Sequence, residues 1–248
     1  MRQDSKYEVA LVIPVFNEEF RINKKEIENS FKRLRNVKLI FVNDGSTDGT
    51  QMVLSDLAKC FSRNEIVILE NESNLGKAES IRRGFIRALQ FNCSYIGFTD
   101  GDFATPPDEV VRLIEIIKET RPLALFGVRR NENGNEIETS RYREVQGTIF
   151  NLLAKRIIGV NLKDPQCGTK FFSNTSSLKA AIAFEFLNPW LFDLEIYLRL
   201  KKHVSSFEVD EITLSSWKHQ PSSKVKFKDP FLMLINLFRL RRTYLESK

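Results

Sequence analysis

Histidine is nearly absent from this chain of 248 residues. There are 2, His203 and His219, which leaves little material for a His-rich metal centre or a Ser-His-Asp relay. Cysteine is scarce too: Cys60, Cys93 and Cys167 are odd in number, widely spaced and form no Cys-x-x-Cys pair, so a reducing compartment is expected. No apolar run reaches the ~18 residues needed to span a bilayer. The opening Met-Arg-Gln-Asp-Ser-Lys lacks the charged-then-apolar pattern of an export signal, so a cytoplasmic chain is expected, soluble or peripheral to the cytoplasmic face of a membrane. Glycine signatures are also missing. Without G-x-x-x-x-G-K-[ST], G-x-G-x-x-G after the first apolar run, or G-x-S-x-G, the sequence speaks against an NTPase, a dehydrogenase and an α/β-hydrolase. A nucleotidyltransferase making sugar nucleotides would want a glycine-rich loop where this chain has Pro14-Val-Phe-Asn-Glu-Glu19.

What is present is an ordinary globular composition, 42% hydrophobic and 28% charged, of a length that suits one α/β domain. The net charge of +6 favours anionic partners such as nucleotides, lipid phosphates or an anionic membrane surface. A basic module for nucleic acid or membrane would cluster its Lys and Arg among aromatics. Here they are spread, and nucleic acid is not expected as a partner.

Short apolar runs at Glu8 to Pro14, Val37 to Val42, Ile66 to Leu69, Tyr95 to Phe98 and Leu123 to Val128 alternate with amphipathic stretches. Asp48 is placed to cap the second of the helices between them. This alternation predicts a mostly parallel sheet covered by helices, with ligands at the carboxyl ends of its strands. The polar clusters Asn17-Glu18, Asp44, Asn74 to Lys77 and Asp100 to Asp102 all fall at such ends. After Val128 the pattern changes. Arg129 to Thr139 reads as a mobile loop. A helix over Ser140 to Ile158 carries Tyr142, Val145, Ile149, Leu152 and Leu153 on a stripe expected to be core, Phe207 to Trp217 is strand-like, and Pro230 starts a last helix. In that helix Phe231 to Ile235, Leu237 and Phe238 precede Arg239, Arg241 and Arg242, an order suited to a membrane surface.

Asp100-Gly-Asp102 ends the fourth run. In an extended segment, residues i and i+2 point to one side, so both carboxylates could serve one hard cation while Gly101 lets a phosphate approach. Mg²⁺ is commonly held by one or two carboxylates plus substrate phosphates and water. Asp193 and Glu195 are i and i+2 in a helix and do not share a face.

PVFNEE (14–19), VNDGSTDGT (42–50), NLGKAESIRRG (74–84), DGDFATPP (100–107), DPQCGTKFF (164–172), WLFDLEI (190–196) and WKHQPSSKV (217–225) together resemble the GT-A-fold, family 2 glycosyltransferases, in particular the dolichyl-phosphate β-glucosyltransferases and other polyprenyl-phosphate hexose synthases. The resemblance implies a single GT-A domain over 1–248, with a nucleotide-sugar half at about 7–128, an acceptor half at about 129–228 and a C-terminal helix beyond. It implies inverting transfer of a hexose, with UDP-glucose the favoured donor, to a lipid phosphate, or in a second reading to a glycan hydroxyl. Pro14, Phe16, Glu18, Asp44, Lys77, Asp100 and Asp102 are then expected around the nucleotide-sugar, the last two with Mg²⁺ or Mn²⁺. Asp164 and Asp193 are the candidate catalytic carboxylates, and Arg129, Arg141, Arg143 and Lys170 the candidate ligands of an acceptor phosphate. A phosphate monoester is largely dianionic at neutral pH and needs no strong base. A hydroxyl acceptor would need Asp164 or Asp193 as one.

Overall fold

The computed structural model describes residues 7–62, 65–132, 134–139, 141–218 and 230–246, the side chains of 141–144 and 230–232 lying outside the described set. The first part alternates: β1 (Tyr7–Val15), α1 (Lys24–Phe31), β2 (Val37–Asn43), α2 (Thr50–Lys59), β3 (Ile66–Glu70), α3 (Lys77–Ala88), β4 (Cys93–Phe98), α4 (Pro107–Thr120) and β5 (Ala124–Val128). Then come β6 (Glu136–Glu138), α5 (Arg141–Ile158), β7 (Lys170–Ser173), α6 (Ser176–Ala181), α7 (Phe192–His203), β8 (Asp210–Thr213), β9 (Ser216–Lys218) and α8 (Pro230–Tyr244).

The main sheet has the order β3-β2-β1-β4-β7-β5-β8. Its pairings are parallel except those of β7, which runs antiparallel to both β4 and β5. The apolar runs are continuous because the central strands bury both faces. On β1, Val9, Leu11 and Ile13 face one layer with Ile27, Leu54 and Ile114 from α1, α2 and α4. Ala10 and Val12 face the other, with Ile81, Phe85, Phe150, Leu178, Leu198 and Leu237 from α3, α5, α6, α7 and α8.

The predicted mostly parallel, helix-covered sheet is what the structure has, completed by β7 and β8 from the later part of the chain, with three departures. Part of the expected mobile loop is β6, which pairs in parallel with β9 and buries Ile137. The strand expected over Phe207 to Trp217 is therefore two short strands in different sheets. Finally, much of the α5 stripe expected to be core faces outward: Val145, Ile149 and Leu152 are 58%, 54% and 65% exposed, while Leu153 packs half-buried against the core and the Tyr142 side chain lies outside the described set. A rival stripe of Phe150, Ala154, Ile157 and Ile158 shares the helical period and takes the core instead.

Candidate active site

Strand order reverses between β1, which continues to β2 and β3, and β4 on its other side. That reversal opens a crevice at the carboxyl ends of the two strands, where doubly wound sheets bind their ligands. The loops around it are tied together. Asn17 takes a left-handed conformation, φ 53°, and its backbone N–H donates to Ser46 Oγ while its side-chain oxygen accepts from Thr47 N–H at 2.8 Å. Glu18 N–H donates to Thr50 Oγ1 at 2.8 Å and Gly49 N–H to Glu19 Oε2 at 3.0 Å. Glu18 is buried with its carboxylate on Arg21, and Phe16 is half-buried at the end of β1. Asp48 caps as expected but one residue early, its Oδ1 accepting from Thr50 N–H while Gly49 occupies the cap position of α2.

Asp44 follows β2 and is buried. Its Oδ1 accepts from Asn71 Nδ2 and Leu75 N–H, and its Oδ2 from Gly76 N–H, at 2.8 to 2.9 Å. The carboxylate thus holds the backbone that delivers Lys77. Asn71 carried no signal in the sequence, because only its long-range partners give it a role.

Asp100 and Asp102 belong to a tight turn rather than to the extended strand expected of them. Phe103 N–H donates to Asp100 O at 3.1 Å, and Phe103 has φ 52°. The turn crosses the end of β1: a Cβ on Gly101 would lie 2.1 Å from Pro14 O. On the other side a Cβ on Gly168 would lie 2.0 Å from Asp100 Oδ2, so Asp100 is roofed by the Asp164 to Thr169 loop. Asp102 Oδ1 accepts from Ala104 N–H at 3.0 Å. Burial, then the neighbouring Asp100 charge, hold the Asp102 carboxyl above its ordinary range. Lys77 ion-pairs with Asp100 Oδ1, a buried oxygen that has no well-aligned hydrogen-bond donor. Three buried hydroxyls the sequence did not mark out, Thr99, Thr169 and Thr105, form a chain at 2.9 and 3.0 Å that joins β4 to both loops.

The expected catalytic and acceptor residues are paired with one another. Arg129 donates to Asp164 through its backbone N–H and Nε on Oδ2 and through Nη2 on Oδ1, at 2.8 to 2.9 Å, with its guanidinium 5.4 Å from the Trp217 ring. Burial alone would raise the Asp164 pKa. The Arg129 charge and hydrogen bonds outweigh it and leave the carboxyl below its ordinary value. Lys170 is 0% exposed, and its Nζ donates to Pro165 O, Cys167 O and Asp193 Oδ2 at 2.7 to 2.8 Å. An ammonium has three donors. All are used, so Lys170 is corrected from acceptor ligand to the internal tie of the Asp164 to Gly168 loop. Asp193 faces Lys170 while Glu195 is engaged elsewhere, accepting from Arg199, Tyr244 Oη and Leu187 N–H. The side chains of Arg141 and Arg143 lie outside the described set, as does 219–225 of the WKHQPSSKV stretch.

Among the described residues no group of three or more His, Cys, Asp or Glu is arranged to hold a metal ion. Asp100 and Asp102 nevertheless fit one. Two carboxylates in a single turn, one with a buried oxygen whose counter-charge is the Lys77 ammonium, match a divalent cation whose other ligands are donor phosphates and water.

Known proteins resemble this chain in sequence and in fold. The chain is 30% identical over 269 residues to the dolichyl-phosphate beta-glucosyltransferase of Saccharomyces cerevisiae, covering 98% of this chain and 77% of that one. An undecaprenyl-phosphate 4-deoxy-4-formamido-L-arabinose transferase of Pseudomonas fluorescens is 28% identical over 170 residues, 67% of this chain and 47% of that one. Among solved structures, glucosyl-3-phosphoglycerate synthase of Mycobacterium tuberculosis superposes with a TM-score of 0.65 at 17% identity, over 98% of this chain and 82% of that one. The same synthase is also known in complex with Mn²⁺, UDP and glucosyl-3-phosphoglycerate, at a TM-score of 0.63, 17% identity and 98% and 81% coverage. These neighbours share the GT-A fold. The model of glycosyl transferase family 2 matches residues 10–180, and the chain belongs to that family of glycosyltransferases.

Proposed function

We propose that this chain is an inverting, metal-dependent hexosyltransferase that moves a hexose from a nucleoside diphosphate sugar, with UDP-glucose favoured, to a polyprenyl or dolichyl phosphate. One observation carries the choice of acceptor: both candidate bases are engaged, Asp164 by Arg129 and Asp193 by Lys170. Asp193 is occupied by the Lys170 ammonium, and Asp164, held below its ordinary pKa by Arg129, is a poor base for a sugar hydroxyl. A phosphate dianion attacks without one. The likeness to dolichyl-phosphate beta-glucosyltransferases over nearly the whole chain supports the same acceptor.

In this reading Pro14, Phe16, Glu18 and Asp44 shape the nucleotide pocket, and Lys77 serves the diphosphate. Asp100 and Asp102 hold Mg²⁺ or Mn²⁺, which supplies Lewis-acid stabilisation of the leaving diphosphate. The chain's own residues set the geometry. Gly168 and the Lys170-tied loop close over Asp100, and a single displacement by the acceptor phosphate on the face opposite the leaving diphosphate would invert the anomeric centre. Arg129, Arg141 and Arg143 are the remaining cationic candidates for the acceptor phosphate. The outward faces of α5 and α8 are proposed to rest on the membrane that carries the lipid.

A donor and acceptor panel tests this. Label from UDP-glucose is expected to pass, in the presence of Mg²⁺, to dolichyl phosphate in vesicles, with little from GDP-mannose. Transfer confined to soluble glycan hydroxyls would replace the lipid-phosphate reading with a glycan-elongating one.

A further inference from the structure

The negative charge at the switch point already has a counter-cation. Lys77, the first residue of α3, places its ammonium on Asp100 Oδ1 and 5.9 Å from the centre of the Phe192 ring, beside Asp193 at the start of α7. The backbone beneath it is fixed, because Leu75 N–H and Gly76 N–H both donate to Asp44. The lysine side chain itself is 44% exposed and held at its tip by Asp100.

A divalent cation arriving alone meets a poor site. Among the described residues there is no third His, Cys, Asp or Glu ligand. One oxygen of Asp102 is held by Ala104 N–H, and one oxygen of Asp100 is covered by a positive charge. A nucleoside diphosphate changes both conditions. It brings the missing oxygen ligands, and it gives the ammonium a more highly charged phosphate partner.

We propose that Lys77 stands in for the divalent cation in the donor-free enzyme, and that its transfer from Asp100 to the donor diphosphate couples metal binding to nucleotide binding. This rests on the metal-dependent donor site proposed above. By linkage, the factor by which UDP tightens the metal equals the factor by which the metal tightens UDP. The enzyme would then leave free metal largely unbound and assemble the charged site only around a donor.

The test is a titration of free Mn²⁺ by electron paramagnetic resonance with the full chain, in the absence of UDP and at saturating UDP. Wild type is expected to bind Mn²⁺ at least about tenfold more tightly with UDP than without. Lys77→Met, and Lys77→Gln as a second neutral variant, are expected to bind Mn²⁺ alone about tenfold more tightly than wild type and to show a correspondingly smaller gain from UDP, the part due to the donor's oxygen ligands remaining. Lys77→Arg, which keeps the charge, is expected to behave as wild type. Neutral variants that bind Mn²⁺ alone no better than wild type, with the UDP gain intact, overturn the proposal. Asp100→Asn separates the two levels of the argument, since it should abolish Mn²⁺ binding in every state. A wild type that binds no Mn²⁺ even with UDP removes the metal site itself, and this inference with it.

Discussion

Arg129 and Asp164 lie 35 positions apart in the chain, yet both carboxylate oxygens of Asp164 accept from this one arginine. The pair fastens the end of β5 to the loop that roofs Asp100. It also turns an apparent general base into an anchored anion.

Arg129→Met is therefore expected to lower stability by about 3 kcal/mol, since it leaves a mostly buried carboxylate unpaired. Chemical denaturation would measure this. The Asp164 carboxyl is depressed in the fold from its ordinary 3.8, so its contribution is complete above that value and is lost as pH falls through the lower folded pKa. Asp164→Asn should accordingly flatten the stability profile only below about pH 4.

Lys170→Met should be more damaging, by about 3–5 kcal/mol, because it strands the buried Asp193 and two carbonyl oxygens around a fully buried ammonium site. A double-mutant cycle with Asp193→Asn is expected to show coupling of about 1–3 kcal/mol. If Lys170 bound the acceptor instead, its loss would raise the KM for lipid phosphate and leave stability alone.

How much of this was legible follows physical lines. Parallel strands buried on both faces write themselves as unbroken apolar runs, so β1 to β5 could be read with boundaries off by a residue or two. Motif residues at strand ends, Asp44, Lys77, Asp100 and Asp102, could be listed for the same reason. Partners could not. Nothing local to Lys170 says that its ammonium meets Asp193 and two carbonyls, and nothing near Asn71 says that it holds Asp44. The insertion of β7 between β4 and β5 is a long-range pairing with no local signature. On α5 two apolar stripes fit the same period, and the choice between them was made by the packing of Phe150 and Ile157 against the sheet.

The turn over β1 predicts intolerance of a methyl group. In Gly101→Ala the new Cβ would fall 2.1 Å from Pro14 O, which must move the turn and its two carboxylates. A displacement of about 1 Å at reacting groups costs on the order of 10²-fold in rate. Steady-state kinetics should show that loss in kcat/KM with little change in the melting of the rest of the sheet.

Val145, Ile149 and Leu152 on α5 and Ile235 and Phe238 on α8 are exposed. The two helices pack together, Arg241 reaching Ile157 O at 3.3 Å, and exposed Lys155, Arg156, Arg239 and Arg242 accompany the apolar residues. Among the described residues no helix is long and apolar enough to cross a membrane. Apolar contact plus roughly 1 kcal/mol per basic residue at an anionic surface would give salt-sensitive peripheral binding. Cosedimentation with vesicles containing phosphatidylserine should fall for an Ile149→Ser, Leu152→Ser, Phe238→Ser variant, and equal pelleting would remove these helices from the membrane contact.

The most direct test of the account is the bond the enzyme makes. Products formed from UDP-glucose and a short polyprenyl phosphate would be examined by mass spectrometry and by NMR of the anomeric centre. The account predicts a hexose joined through its anomeric carbon to the lipid phosphate, in the β configuration inverted from the α-linked donor. A glucose attached to a hydroxyl, or an α-linked phosphate, would contradict it.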